Sequence, residues 1–324
     1  MLMTLDNNIM EPLAIRSILA ATDLSEISNE VLRAAGAIAA RTGAALHVVH
    51  VYDFPPNPHL DPVDGTPTFQ GRIHSAERAV DAQLAAVLPP GAAVASREVV
   101  IDVPHRAILA AALKVSADLV VLGPHRKGGV EQRILGSTAD RIVRSADVPC
   151  LVVRCYFNLP LHRIVVPVDL SDPAREALDL ALDWGGQLGP GSTPSVGPAL
   201  DVRVVHVLPP ALMGLDGLAS GHARVGPELH RDVGAALARA AHRSSISVRE
   251  ELLWGKSEAE EIVRYAHDEG AGLLVLATHG RGAVSRALVG SVTSAVARDS
   301  KVCVLLVPPS LWRSRRVAAA RSNV

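Results

Sequence analysis

Residues Ile18-Leu19-Ala20-Ala21-Thr22-Asp23-Leu24-Ser25 return as Ile164-Val165-Val166-Pro167-Val168-Asp169-Leu170-Ser171, 146 positions further on. In each copy a short apolar run ends on an acid and a serine, the pattern of a buried strand entering a helix. Three more pairs follow in the same order. Leu46-His47-Val48-Val49-His50-Val51 returns as Val202-Arg203-Val204-Val205-His206-Val207, Asp118-Leu119-Val120-Val121-Leu122-Gly123-Pro124-His125 as Gly272-Leu273-Leu274-Val275-Leu276-Ala277-Thr278-His279, and Leu135-Gly136-Ser137 as Val289-Gly290-Ser291. Their offsets are 156, 154 and 154. A period of about 150 residues is too long for a solenoid unit and suits a duplicated domain. The jump in offset falls at the Gly-, Pro- and Ser-rich stretch from Gly189 to Pro198, a loop insertion confined to the second half.

Working outward, each copy alternates short apolar runs with longer Ala-rich stretches. Strands are expected at 16–22, 45–51, 94–100, 118–123 and 148–153, with helices near 26–42, 72–88, 104–116 and 137–146. The second copy repeats the strands near 163–168, 201–207, 247–253, 272–277 and 302–307. Regular strand–helix–strand alternation means right-handed crossovers and a parallel sheet covered on both faces. The expected fold class is therefore α/β: two tandem doubly wound, five-stranded parallel-sheet domains, strand order 3-2-1-4-5, of the Rossmann or flavodoxin type. We divide the 324 residues into a first domain at 1–155, a second at 160–310 and a basic tail at 311–324. The stretches Asp53–Phe69 and Pro209–Pro227, rich in Pro or Gly, read as surface loops or lids.

In such a sheet, ligands sit beyond the carboxyl ends of the strands where the winding reverses, here between the first and fourth strands. Asp23 and Asp169 end the first strands, and the loops from Gly123 and Ala277 leave the fourth. The second of these loops reads Ala277-Thr278-His279-Gly280-Arg281-Gly282-Ala283 and reaches Gly290-Ser291-Val292-Thr293 before another helix. Glycines let backbone N–H groups approach an anion, and a helix start aims more of them at it. With Arg281 and the Ser291 hydroxyl added, a phosphate is the natural guest.

On these residues the chain resembles the universal stress protein family in its tandem two-domain form, over roughly residues 14 to 309. Nucleotide-binding members carry Gly-x2-Gly-x9-Gly-Ser/Thr after the fourth strand and an Asp after the first. Here the second half reads Ala277-x2-Gly280-x9-Gly290-Ser291 and the first Gly123-x2-Arg126-x9-Gly136-Ser137. The resemblance implies ATP, ADP or AMP, with Mg²⁺ as an optional companion, bound as a regulatory ligand of a stress response. It places Asp169 on the ribose and Pro167 and the Val207 backbone beside adenine. Gly280, Arg281, Gly290, Ser291 and Thr293 would hold the phosphates, with Ala277, Thr278 and Val292 also among the nucleotide-binding positions. The first-half counterparts are Ala21, Asp23, Val51, Gly123, Arg126, Gly136, Ser137 and Thr138. Arg126 puts a bulky side chain at a close-approach position, so the second half is the better nucleotide candidate. The resemblance further implies that the last strands pair the two halves, and that two chains form a homodimer. Two other readings stay open: an interaction module without nucleotide, and a slow ATP-hydrolysing enzyme on the same fold.

Composition narrows the field. Lys+Arg is 32 and Asp+Glu 33, so no global field draws DNA, RNA or an anionic membrane. Aromatics are 3%, too few for base-stacking platforms. The polar opening Met1–Asn8 reads as no leader, and no apolar run reaches membrane-span length. Cys150, Cys155 and Cys303 form no CxxC pair, which argues against disulfide scaffolding and structural zinc and points to a reducing cytoplasm. Cys150 and Cys303 read as small buried hydrophobes, while Cys150 and Cys155 alternate faces and make no vicinal pair.

Several motifs read as structure rather than chemistry. Gly255-Lys256-Ser257 lacks the upstream glycine of a P-loop and precedes the helix after the third strand, away from the switch point; Ser257 reads as a helix cap with Glu260 three positions on. His50 and His206 read as bracing groups at strand ends, and His125 and His279 as loop braces. Asp23 and Asp169 have a second reading as caps of the helices that follow. No catalytic residue and no metal-ligand set is assigned. Arg313, Arg315, Arg316 and Arg321 are too few for a nucleic-acid arm.

Overall fold

A computed structural model of the chain describes residues 13–52, 69–124, 135–190, 200–210, 217–239, 246–280 and 289–309. The first half runs β1 (Ser17–Thr22), α1 (Glu26–Thr42), β2 (Ala45–Tyr52), α2 (Phe69–Val87), β3 (Val94–Ile101), α3 (Pro104–Lys114), β4 (Leu119–Leu122), α4 (Ser137–Ser145) and β5 (Cys150–Val152). The second runs β6 (Arg163–Pro167), α5 (Asp172–Leu188), β7 (Leu200–Leu208), α6 (Gly217–Arg239), β8 (Ile246–Trp254), α7 (Glu258–Asp268), β9 (Leu273–Ala277), α8 (Ser291–Asp299) and β10 (Val304–Val307).

Among the described residues, ten strands join one sheet in the order β3-β2-β1-β4-β5-β10-β9-β6-β7-β8. Each half is the expected 3-2-1-4-5 arrangement, and the halves meet at their last strands. That seam is antiparallel: Val304 faces Val152, Leu305 faces Leu151 and Leu306 faces Cys150. Pairing the two apolar edges removes the exposed ladders that each half alone would present. Side chains alternate across the sheet, so Leu305 joins a core that also holds Ile18, Val166 and Leu178, while Val304 and Leu306 join one with Leu19, Val165 and Ile262. Both cores run through the seam. A second tie is polar: the N–H groups of Leu13 and Ile15 donate to Asp183 Oδ2 and Gln187 Oε1 of α5 at 3.0 and 3.1 Å.

The helix starts follow local chemistry. Ser25, Ser171 and Ser257 cap α1, α5 and α7 with their hydroxyls, and Pro104 opens α3 where no N–H is required. One expectation fails here. The sequence predicts a loop over Pro209–Pro227, yet α6 begins at Gly217 and carries Pro227 inside it. The buried stripe Leu229, Val233 and Ala236, at helical spacing, supplies tertiary packing that local propensity does not weigh. Most of the Gly189–Pro198 insertion, the tail, and the segment 53–68 lie outside the described residues.

At the amino ends of the strands an ion network crosses the sheet. Asp201 accepts from Arg203 Nε at 2.8 Å and Arg163 Nε at 3.1 Å, and Arg203 reaches Glu251 at 3.0 Å. Burial pushes the Asp201 carboxyl up, but its hydrogen bonds to Arg203 and Arg163 outweigh that and hold it below its ordinary value. A depressed folded pKa contributes stability above the unfolded value near ~3.9, lost as pH falls through the folded value. The urea midpoint is therefore expected to drop on acidification below about pH 4, and less steeply in Asp201→Asn. Parallel acid limbs in the two proteins would remove this carboxylate from the account.

Candidate functional site

β6 pairs with β7 over five residues but with β9 only at Ile164–Leu273 and Val165–Leu274. Past that point β6 and β9 part, and a cavity of about 480 Å³ opens beyond their carboxyl ends. It lies at the expected switch point, and its volume falls in the range of small-molecule sites. Pro167, Asp169, Val207, Ala277, Gly280, Gly290, Ser291, Val292 and Thr293 of the expected set all line it. Arg281 and Arg126 lie outside the described residues, as does His125.

Each lining group is set by its own element. The turn after β6 passes through Leu170, a non-glycine residue at φ 63°, and its counterpart Leu24 after β1 has the same value. Such a conformation costs a leucine about 1–2 kcal/mol and persists because surrounding contacts hold it. Here Asp169 Oδ1 accepts from the Ser171 N–H at 3.1 Å and from the Ser171 hydroxyl. Ser171 in turn caps α5. The aspartate thus orients the cap instead of being the cap, and Asp23 and Ser25 repeat the arrangement. Behind the turn, His206 bonds through Nδ1 to the Val168 carbonyl at 2.7 Å, and His50 to that of Thr22 at 2.9 Å. A carbonyl accepts only, so Nδ1 carries the proton in both rings.

The two glycines of the loop have different reasons. A Cβ on Gly280 would stand 2.4 Å from Asp169 Oδ2, so no side chain fits while the carboxylate keeps its place. A Cβ on Gly290 would meet nothing closer than 3.8 Å, so the fold itself does not demand glycine there. Gly290 spends its N–H on the Thr278 carbonyl at 2.8 Å, closing the loop at its base. It also leaves α8 without a side-chain cap, as Gly136 leaves α4. The first-turn N–H groups of α8 at Ser291, Val292 and Thr293 therefore face the cavity mouth with the positive end of the helix dipole.

Thr278 departs from expectation. It is 2% exposed and is not among the lining residues; its N–H donates to the Val307 carbonyl and its hydroxyl meets His279 Nδ1 at 2.9 Å. The residue carries the β9 hydrogen bonding one position past the strand, and its hydroxyl is taken up inside the fold by His279. The Thr293 hydroxyl also has a task within the fold, donating to the Ala277 carbonyl at 2.9 Å. Neither Ala277 nor Gly123 has positive φ, so the alanine substitution carries no backbone penalty. A Cβ on Gly123 would come 3.2 Å from Val31, whose counterpart one repeat later is Ala177. Glycine at 123 therefore accommodates α1 and need not signal a ligand.

The sequence reading missed part of the wall. Glu258 and Ile262 of α7 line the cavity, although the sequence places this helix away from the switch point. Topology explains the correction: α7 links the third strand of its half to the fourth, so it crosses the intervening strands and begins at their carboxyl ends. Ser257 does cap it, donated to by the Glu260 N–H at 3.4 Å. His279 lines the cavity as well, and its buried Nε2 has no hydrogen-bond partner among the described residues. The described lining includes Asp169 and Glu258 but no Lys or Arg. In the first half, Gly136 holds the position before α4 without a side-chain cap, Ser137 and Thr138 form the first turn, and Ala21 and Val51 lie near the ends of β1 and β2.

The sequence profile of the universal stress protein family matches residues 14–154 and again 160–308. The chain belongs to that family. A universal stress protein of Synechocystis is 27% identical over 194 residues, covering 60% of this chain and 58% of that protein. One from Thermus aquaticus is 34% identical over 140 residues, 43% of this chain and 98% of the relative. A solved universal stress protein from Archaeoglobus fulgidus, 20% identical, has a TM-score of 0.58 over 90% of this chain and 96% of its own. A Pseudomonas aeruginosa protein whose function is unknown, 18% identical, reaches 0.60 over 95% and 98%. At these identities the structural likeness speaks to the fold: universal stress protein domains in tandem. Among the described residues no helix is long and apolar enough to cross a membrane.

Proposed function

We propose that the second-half cavity binds an adenine nucleotide, ATP or its relatives ADP and AMP, as a regulatory ligand without fast turnover. The observation that carries this reading is the convergence of three unlike surfaces on one cavity. Pro167, Val207, Ile262 and Leu276 offer an apolar wall for a base, Asp169 a carboxylate for a ribose diol, and the uncapped start of α8 N–H groups for phosphate. The orphaned His279 Nε2 adds a polar atom that a ligand hydroxyl would satisfy. Asp169 and Glu258 oppose a bare polyphosphate, so Mg²⁺ carried on the phosphates would ease triphosphate entry. The same two carboxylates support a second reading, that a less charged member of the class is preferred. The first half is the weaker candidate, and a homodimer of the tandem chain remains part of the proposal.

The test begins with mass spectrometry of small molecules released from freshly purified, denatured protein, followed by calorimetric titration with ATP and AMP. ATP or AMP is expected, retained or taken up stoichiometrically; released ADP would favour hydrolysis. Gly290→Val is expected to weaken binding by more than about tenfold, or ~1.4 kcal/mol, while Gly136→Val changes it little. Loss confined to Gly136→Val would move the site to the first half. A protein that arrives empty and takes up neither nucleotide overturns the proposal in favour of an interaction module.

A further inference from the structure

Two cysteines set apart by 148 positions meet beside the seam. Cys155 Sγ and Cys303 Sγ are 3.7 Å apart, and the Cys303 thiol also lies 3.5 Å from the Cys155 carbonyl. Cys155 is exposed and Cys303 is buried, while the third cysteine, Cys150, is buried on β5 with its thiol directed to the Val148 carbonyl at 3.5 Å. Cys155 lies three residues beyond the last residue of β5, and Cys303 immediately precedes β10. A bond between them would therefore extend the antiparallel pairing of Val152 with Val304 as a covalent clasp. We propose that Cys155 and Cys303 form a hydroperoxide-sensitive thiol pair that closes to a disulfide and staples the two halves of the sheet together.

The chemistry needs an exposed, ionisable attacking thiol and a resolving thiol within reach. Hydrogen bonding from Cys303 holds the Cys155 thiol down to about 7, against the opposing pull of burial and of the Glu30 carboxylate. Cys303 is pushed up, chiefly by the Cys155 sulfur beside it and by burial, which keeps it protonated until called upon. Burial pushes Cys150 up to about 12, leaving it inert. The Cys155 thiolate attacks one peroxide oxygen; the O–O bond breaks, and the departing hydroxide takes a proton to become water. The sulfenic acid left on Cys155 is then attacked by Cys303 sulfur. The S–O bond breaks as the S–S bond forms, and the hydroxyl leaves as a second water with the Cys303 proton. Two thiols and one peroxide thus yield one disulfide and two waters, the peroxide receiving two electrons. From 3.7 Å the sulfurs must close to about 2.05 Å.

Reduced full-length protein treated with hydrogen peroxide, then denatured and alkylated with N-ethylmaleimide, tests this. The expected product has lost about 2 Da, takes one adduct instead of three, and yields a cross-linked peptide joining Cys155 to Cys303. Dithiothreitol restores three adducts. The oxidised form is expected to melt at higher temperature, since the cross-link closes a long loop. Alkylation of Cys155 in the reduced protein should titrate with a midpoint near 7. In Cys303→Ser, Cys155 should over-oxidise with a gain of about 32 Da or link two chains. Because the decisive readout uses the natural chain, poor folding of that variant does not blur it. Over-oxidised Cys155 beside a free Cys303 in the natural chain, disulfides between chains, or three adducts after peroxide would each overturn the proposal.

Discussion

Alanine in place of Leu305 is expected to lower the unfolding free energy by about 2–5 kcal/mol, the range for truncating a buried leucine. Leu305 is 2% exposed, faces Leu151 across the seam and sits beside Val275 on the parallel side. The seam has three paired residues from each half, so a cavity here weakens a short stretch of strand pairing. Both faces of the sheet carry continuous cores through this point, so the two halves should lose stability together. Urea unfolding followed by circular dichroism measures the change, with Leu113→Ala as the control. Leu113 is 82% exposed, and its truncation should stay within about 0.5 kcal/mol. A Leu305→Ala loss no larger than the control would mean that the seam does not hold the halves together.

The second large effect is on ligand binding. Gly280→Ala is expected to weaken ATP binding by more than about tenfold, or ~1.4 kcal/mol, because the new methyl would stand 2.4 Å from Asp169 Oδ2. Either the carboxylate leaves its position or the loop moves outward, and both separate Asp169 from the start of α8. Gly290→Ala is the instructive partner, since nothing in the fold lies closer than 3.8 Å to its added methyl. It should fold like the parent, apart from about 0.5–1 kcal/mol at the cap. Any loss of affinity in that variant then reports a ligand in close approach. Calorimetric titration with ATP, alongside thermal melts, separates the cases. Unchanged affinity in Gly280→Ala would detach Asp169 from the site.

Much of this was legible in the chain itself. The matched runs at Ile18 and Ile164 placed the first strands, and the order of elements led to the strand order and to the end of the sheet where a cavity opens. These follow from local patterns: apolar runs of strand length, the helix-capping serine at 257, and the handedness of crossovers. The glycines of the loop were also visible, but not their reasons. Gly280 yields to a carboxylate 111 residues earlier, and Gly123 to a valine of α1.

Tertiary structure alone decided where side chains point once the chain had closed on itself. Helix α6 runs through Pro227 because buried Leu229, Val233 and Ala236 stabilise it, a contribution absent from any local window. Glu258 and Ile262 reach the cavity because a crossover carries α7 over intervening strands. Thr278 is buried because its hydroxyl is taken up by His279 while its N–H bonds the Val307 carbonyl. Cys155 and Cys303 offer no motif, being 148 positions apart, and meet only because the two last strands pair. Sequence periodicity specifies which face of an element is apolar; the partner across that face is set by the packing of the whole sheet.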